Sequence, residues 1–149
     1  MTDLIITQPE ADTLLYNIEK YKVDDKAYVY PMFGGSLIIP LLSLDNKYEF
    51  TLDLWRGTMI LAKGRYQTRT RKTIILARLD FGGSPHRNPD QVEMGTPHIH
   101  LYREGFGDKW AFPLPPEIND SSDRWQMLDE FMNFCKIVSK PNITRGLFV

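Results

Sequence analysis

His98 and His100 stand two residues apart in the run Thr96-Pro-His-Ile-His-Leu-Tyr-Arg103. On an extended chain successive side chains point to opposite faces, so both imidazoles leave the same side. An imidazole titrates near neutral pH, so one of the pair can act as general base and the other as general acid. Cleavage of a phosphodiester needs both roles, plus positive charge on the developing phosphorane, for which Arg103 and Lys109 are the candidates. Alternatively the pair, joined by Asp80 or His86, could hold a divalent metal. No third ligand stands at a diagnostic spacing, so the residues favour acid–base chemistry and no metal or other cofactor is expected. The plain structural reading is two half-buried strand histidines bonded to backbone.

Arg103-Glu-Gly-Phe-Gly-Asp-Lys-Trp110 is a glycine turn whose successive amides could cradle an anion. It lacks the full phosphate-loop pattern. The plain alternative is a surface turn with Glu104–Lys109 or Arg103–Asp108 ion pairs. A cationic stripe precedes it: Lys63, Arg65, Gln67, Arg69 and Arg71 share parity, so a regular strand puts all five on one face, extended by Lys72 and Arg78. With Tyr66 beside them, the arginines suit a phosphate backbone with stacked bases. Arg65, Arg69 and Arg71 are therefore candidate ligand-binding residues. The competing reading is a solvated sheet face on which Glu49 and Asp53 pair with them across strands. Asp80 closes an apolar run before Gly82-Gly83; a carboxylate there suits ligation, and it suits a turn equally. His86 lies in a loop from which it can reach the site. Cys135 sits among apolar residues and reads as core.

These groups need a scaffold. Thr7-Gln-Pro-Glu10 is a capping box, and Ala11, Leu14, Leu15 and Ile18 continue at helical spacing, predicting a helix to about Lys22. Strands are expected at Ser36–Leu42, at Tyr48–Trp55, from Thr58 to about Arg69, and at Lys72–Asp80, whose apolar middle belongs at the centre of a sheet. Arg56-Gly57 reads as a hairpin turn and Phe81–Asp90 as a loop. The histidine strand covers about Pro97–Arg103, and Lys109–Phe112 is a last short strand before Pro113, Pro115 and Pro116. Ser121 or Ser122 caps a helix to about Val138, with Trp125, Leu128, Phe131, Met132, Cys135 and Val138 on its apolar face. The order α-β-β-β-β-β-β-α predicts a single α+β domain over 1–149. Its core is a curved antiparallel sheet of about five to six strands, with an N-terminal and a C-terminal helix packed on it.

Composition narrows the partners. The chain has 149 residues, 42% hydrophobic and 25% charged, as in soluble globular domains. Its net charge of -1 supplies no global field toward nucleic acid or membrane, so a basic patch must be local. The single cysteine excludes an intrachain disulfide and a cysteine-cluster zinc site and points to a reducing cytoplasm. The N-terminus lacks the signal-peptide pattern, and no apolar run approaches the roughly 20 residues of a membrane helix.

Pro97-His-Ile-His-Leu-Tyr-Arg-Glu-Gly-Phe-Gly-Asp-Lys-Trp-Ala111, followed by Pro113-Leu114, resembles the signature of a family of small bacterial and phage proteins of unknown function. Leu79-Asp80, the Pro85–Asp90 loop and the tail from Pro141 to Phe148 match it as well. The resemblance spans most of the chain and implies a prokaryotic or phage origin, often near mobile elements; it implies no activity.

The residues support two functional expectations. In the first, the protein binds or cleaves RNA or another phosphate-bearing ligand, as a toxin-like endoribonuclease would. His98 and His100 are the acid and base, Arg103 and Lys109 stabilise charge, and Arg65, Arg69, Arg71, Asp80 and His86 hold the ligand. In the second, it is a non-catalytic phage or mobile-element module, inhibitor- or antitoxin-like, that binds a protein partner through Tyr102, Phe106 and Trp110.

Overall fold

The computed structural model describes residues 5–58 and 62–146. Its strands are β1 (Lys20–Lys22), β2 (Ala27–Val29), β3 (Ser36–Ser43), β4 (Glu49–Arg56), β5 (Gly64–Thr70), β6 (Ile74–Phe81), β7 (His86–Arg87), β8 (Glu93–Met94), β9 (His98–Leu101), β10 (Ala111–Phe112), β11 (Ile137–Ser139) and β12 (Asn142–Thr144). Its helices are α1 (Gln8–Asp12) and α2 (Arg124–Phe134). Eight strands form one sheet in the order β10-β9-β6-β5-β4-β3-β1-β11, while β12–β2 and β7–β8 are separate two-stranded ladders. No helix among the described residues is long and apolar enough to cross a membrane.

The sheet corrects the expected one. It has eight strands rather than five to six, and it is mixed, because β1 and β11 run parallel. The two extra strands, β1 and β11, are three residues long, too short to show a period of their own. The C-terminal segment holds the N-terminal ones: Lys20 pairs with Ile137, and Ala27 with Asn142. The segment read as loop between Phe81 and Asp90 contains β7, which pairs with β8. Arg56 pairs with Gly64, so the β4–β5 connection is residues 57–63 and not a two-residue turn. Positions 59–61 of the expected third strand lie outside the described residues.

Both helices are shorter than expected. The capping box is present: the Thr7 side chain accepts from the Glu10 amide, and the Glu10 side chain accepts from the Thr7 amide. After Asp12 the helix widens into one π turn, Thr13–Asn17, and Ile18 is extended. Lys20 ends it by donating to the Leu14, Leu15 and Ile18 carbonyls. In α2 the cap is Asp123, which accepts from the Trp125 and Gln126 amides. The helix stops at Phe134, and Lys136, in the left-handed region (φ 60), turns the chain into β11. Val138, expected on a helical apolar face, is 48% exposed on that strand. A Thr7→Ala variant is expected to lose about 1 kcal/mol of stability in urea unfolding, because the Glu10 amide loses its acceptor, the Thr7 hydroxyl.

Burial separates the two faces of the sheet. Phe50, Leu52 and Leu54 of β4, Tyr66 and Thr68 of β5, and Leu76 and Leu79 of β6 are buried. They share one core with Met127, Leu128 and Phe131 of α2, and Tyr66 Oη donates to the Arg124 carbonyl (2.9 Å). The polar half of each alternation is left on the opposite, outer face.

Candidate functional site

Adjacent antiparallel ladders align two rungs of polar residues. Arg65 pairs with Asp80, which pairs with His98; Gln67 pairs with Arg78, which pairs with His100. Trp55 and Asp53 of β4 continue these rungs opposite Arg65 and Gln67. Opposed residues share a face, so the histidines, Asp80, Arg78 and the polar residues of β5 all stand on the outer side. The β7–β8 hairpin covers this end. His86 Nε2 donates to the Lys109 carbonyl (2.7 Å). The buried Asn88 amide donates to the Ala111 carbonyl (3.0 Å) and accepts from the Ala111 amide (2.8 Å). The His86 ring centroid lies 4.6 Å from His100 and 5.9 Å from His98.

Under this cover His98 is 2% exposed and His100 0%. Each Nδ1 faces a main-chain carbonyl: Gly95 at 2.9 Å for His98 and Asp108 at 2.7 Å for His100. A carbonyl only accepts, so both Nδ1 atoms carry hydrogen and the neutral rings keep a bare lone pair on Nε2. Both Nε2 atoms turn to Asp80 Oδ2, at 3.6 Å from His98 and 3.5 Å from His100. Arg78 ties the cluster together. Its Nη2 donates to His100 Nε2 (2.9 Å) and Asp80 Oδ2 (3.1 Å), its Nε to Asp80 Oδ1 (3.1 Å) and its Nη1 to Asp108 Oδ2 (2.6 Å). His98 Nε2 is buried and has no hydrogen-bond partner among the described residues.

Burial alone would raise the Asp80 carboxyl. The His100 and His98 rings, which donate to it from Nε2 when they carry a second proton, and the charges of Arg78 and Arg65 outweigh burial and hold that group well below the usual carboxylate range. Burial lowers the His100 imidazole below its ordinary value; Asp80 opposes the fall and Arg78 adds to it. A cleft of about 210 Å³ opens beside the cluster, lined by Lys63, Arg65, Arg78, Asp80, His86 and His98 among others. His100 does not line it. The two histidines expected to work as a pair are thus unequal, because only His98 borders space that a ligand can enter.

The structure brings His86, His98, His100, Asp80 and Arg65 together and leaves the other candidates elsewhere. Arg103 is exposed and lies over the rings of Trp110 (4.5 Å) and Phe106 (5.9 Å). Three amides of the turn it opens are already committed: those of Glu104, Phe106 and Gly107 donate to Gln8 Oε1, Arg103 O and Arg103 O. Lys109 is exposed and gives the site only its carbonyl. Arg69 is held by Asp53, through Nε and through Nη2 (3.0 Å), and Gln67 also donates to Asp53 (2.7 Å). Arg71 lies past the strand in a left-handed turn (φ 50), 3.6 Å from Glu10. Tyr66 points into the core at 0% exposure and cannot stack a base. Of the aromatic anchors, Tyr102 is buried with its hydroxyl donating to the Ile6 carbonyl (2.7 Å), and Phe106 stays 40% exposed.

Sequence reasoning missed two organisers. Arg78 counted only as an extension of a patch, although a guanidinium interrupting an apolar run two residues before Asp80 was a readable sign of a partner on that face. Asn88, which fastens the hairpin over the histidines, carried no signal apart from its turn-forming neighbours. No curated protein and no solved structure matches this chain. Residues 6–137, which include every residue of the histidine cluster, match the family of unknown function DUF6978, and the chain belongs to that family.

Proposed function

We propose that the outer-face cleft binds the phosphate group of a ligand, such as the phosphorylated end of an RNA. The observation that carries this reading is the ring of Lys63, Arg65, Arg78 and His86 around a space of about 210 Å³. That volume fits one phosphate group better than a stacked nucleotide chain. Guanidinium groups recognise phosphate through paired N–H donors, and Arg65, with its side chain 39% exposed, is free to turn one edge to a ligand. An extended RNA track is not part of the reading, since Asp53 and Glu10 occupy Arg69 and Arg71. His98 also lines this cleft, although its bare Nε2 is buried, so hydrolysis of a bound phosphoester is assayed as a question separate from binding.

Fluorescence anisotropy with a 5′-phosphorylated RNA oligonucleotide and its unphosphorylated twin tests the reading. Removing the phosphate and replacing Arg65 by alanine should each weaken binding about tenfold, while Arg69→Ala should not. Equal affinity for both oligonucleotides would remove the proposal. Incubation of total RNA with wild type and with His98→Ala tests hydrolysis separately, and equal or absent cleavage by both argues for binding alone.

A further inference from the structure

The geometry points to a divalent transition-metal site formed by Asp80, His98 and His100 at the floor of the cleft. Their ligand atoms lie within 4.8 Å of one another, and Asp80 Oδ2 is 3.6 Å and 3.5 Å from the two Nε2 atoms. Zinc bonds of about 2.0–2.1 Å in tetrahedral geometry space the ligands about 3.4 Å apart. Two of the three spacings therefore stand close to what a shared ion requires.

The tautomers agree with this. A metal-binding histidine commonly donates its other ring nitrogen to a carbonyl, which aims the lone pair at the ion. Both histidines do so, to Gly95 and Asp108. The unpartnered atom is the strongest sign. His98 Nε2 belongs to a side chain 2% exposed and faces a carboxylate oxygen with no donor between them. Two electron-rich atoms so placed are satisfied by a cation held in common.

Two imidazoles and one carboxylate suit zinc, iron(II), cobalt or manganese, and suit calcium poorly. Such a set leaves coordination positions open, here on the side of Lys63, Arg65 and His86. Arg78 is the internal competitor, because its Nη2 already donates to His100 Nε2 at 2.9 Å and to Asp80 Oδ2 at 3.1 Å; an ion takes the first contact and shares the carboxylate oxygen, while Nη1 keeps Asp108. The inference does not depend on phosphate binding.

The test is titration of chelator-treated protein with Co2+, followed by its visible absorption, and with Zn2+ by calorimetry, both in phosphate-free buffer. One ion per chain is expected, with His98→Ala weakening binding at least about tenfold. Circular dichroism confirms that the variant is folded. Nitrogen NMR on the wild type needs no variant: Zn2+ should move the Nε2 resonances of His98 and His100 and leave both Nδ1 atoms protonated. Wild type that binds Co2+ no better than folded His98→Ala, or Nε2 resonances unmoved by Zn2+, overturns the site and leaves the anion reading standing.

Discussion

Replacing Lys20 by methionine is expected to destabilise the protein by about 3–5 kcal/mol, which for a chain of this size lowers Tm by about 10 °C. Lys20 is 0% exposed. Its ammonium donates to the carbonyls of Leu14 (2.7 Å), Ile18 (2.9 Å), Cys135 (2.9 Å) and Leu15 (3.1 Å) and lies 4.7 Å from the Phe50 ring centroid. One side chain thus caps both the N-terminal π turn and the end of α2, where intrahelical donors run out. Methionine keeps the stem and leaves four carbonyls without that donor, the Ile18 contact being only partly buried and the other three buried. Urea unfolding measures the loss; a cost below about 1 kcal/mol would show that the carbonyls find other donors.

The same residue gives a pH signature. Burial pulls its pKa from 10.5 to about 8. The unfolded chain then binds more protons than the folded one between those values, so stability rises with pH across that window, by up to about 3 kcal/mol. Cys135 works in the opposite sense, since burial pushes its thiol from 9.0 up to about 12 and stability is lost as pH climbs between those values. The difference between wild type and Lys20→Met isolates the lysine. It should shift in favour of the wild type from pH 8 upward, and a flat difference contradicts the assignment.

Asp80→Asn is the second large effect, about 2–4 kcal/mol. Asp80 Oδ1 accepts from Arg65 Nε at 3.3 Å and from Arg78 Nε at 3.1 Å, and the Asp80 and Arg78 side chains are only 17% and 15% exposed. Asparagine keeps the shape and removes the charge, leaving two guanidiniums facing each other with Asp108 as their nearest compensation. Unfolding in the presence of chelator excludes a metal contribution. A double-mutant cycle with Arg78→Met should show coupling of at least about 1 kcal/mol, whereas additive losses would mean that the network contributes no more than its separate parts.

How much of this was legible depended on the range of the contacts. Phe50, Leu52 and Leu54 alternate with Thr51 and Asp53, so the faces of β4 could be read directly, and the polar parity of Arg65, Gln67 and Arg69 did lie on one face. What that face does with its charge could not be read, because Asp53 neutralises Arg69 across a ladder whose register the sequence does not state. β1, β2, β11 and β12 were invisible for the same reason. Lys20 pairs with Ile137 and Ala27 with Asn142, and three-residue strands have no periodicity to betray them. At the site, His98, His100, Asp80 and His86 could be named from residue type. That the histidines are partly buried and bonded to backbone was one of the readings open from the sequence; their full burial was not, since it depends on Asn88 fastening a hairpin that reads as a loop. Arg103 and Lys109 stand apart from the cluster, Arg103 over the Trp110 and Phe106 rings and Lys109 exposed with only its carbonyl at His86.

The central claim is that the space beside Asp80 and His98 receives an anion. Amide NMR on the isotope-labelled wild type during titration with inorganic phosphate tests it most directly. Saturable shifts should gather at Lys63, Arg65, Asp80, His86, Thr96 and His98, the residues around the cleft, while Arg71 and Arg103 stay still. Shifts confined to the Arg103–Lys109 turn, or none that saturate, would contradict it.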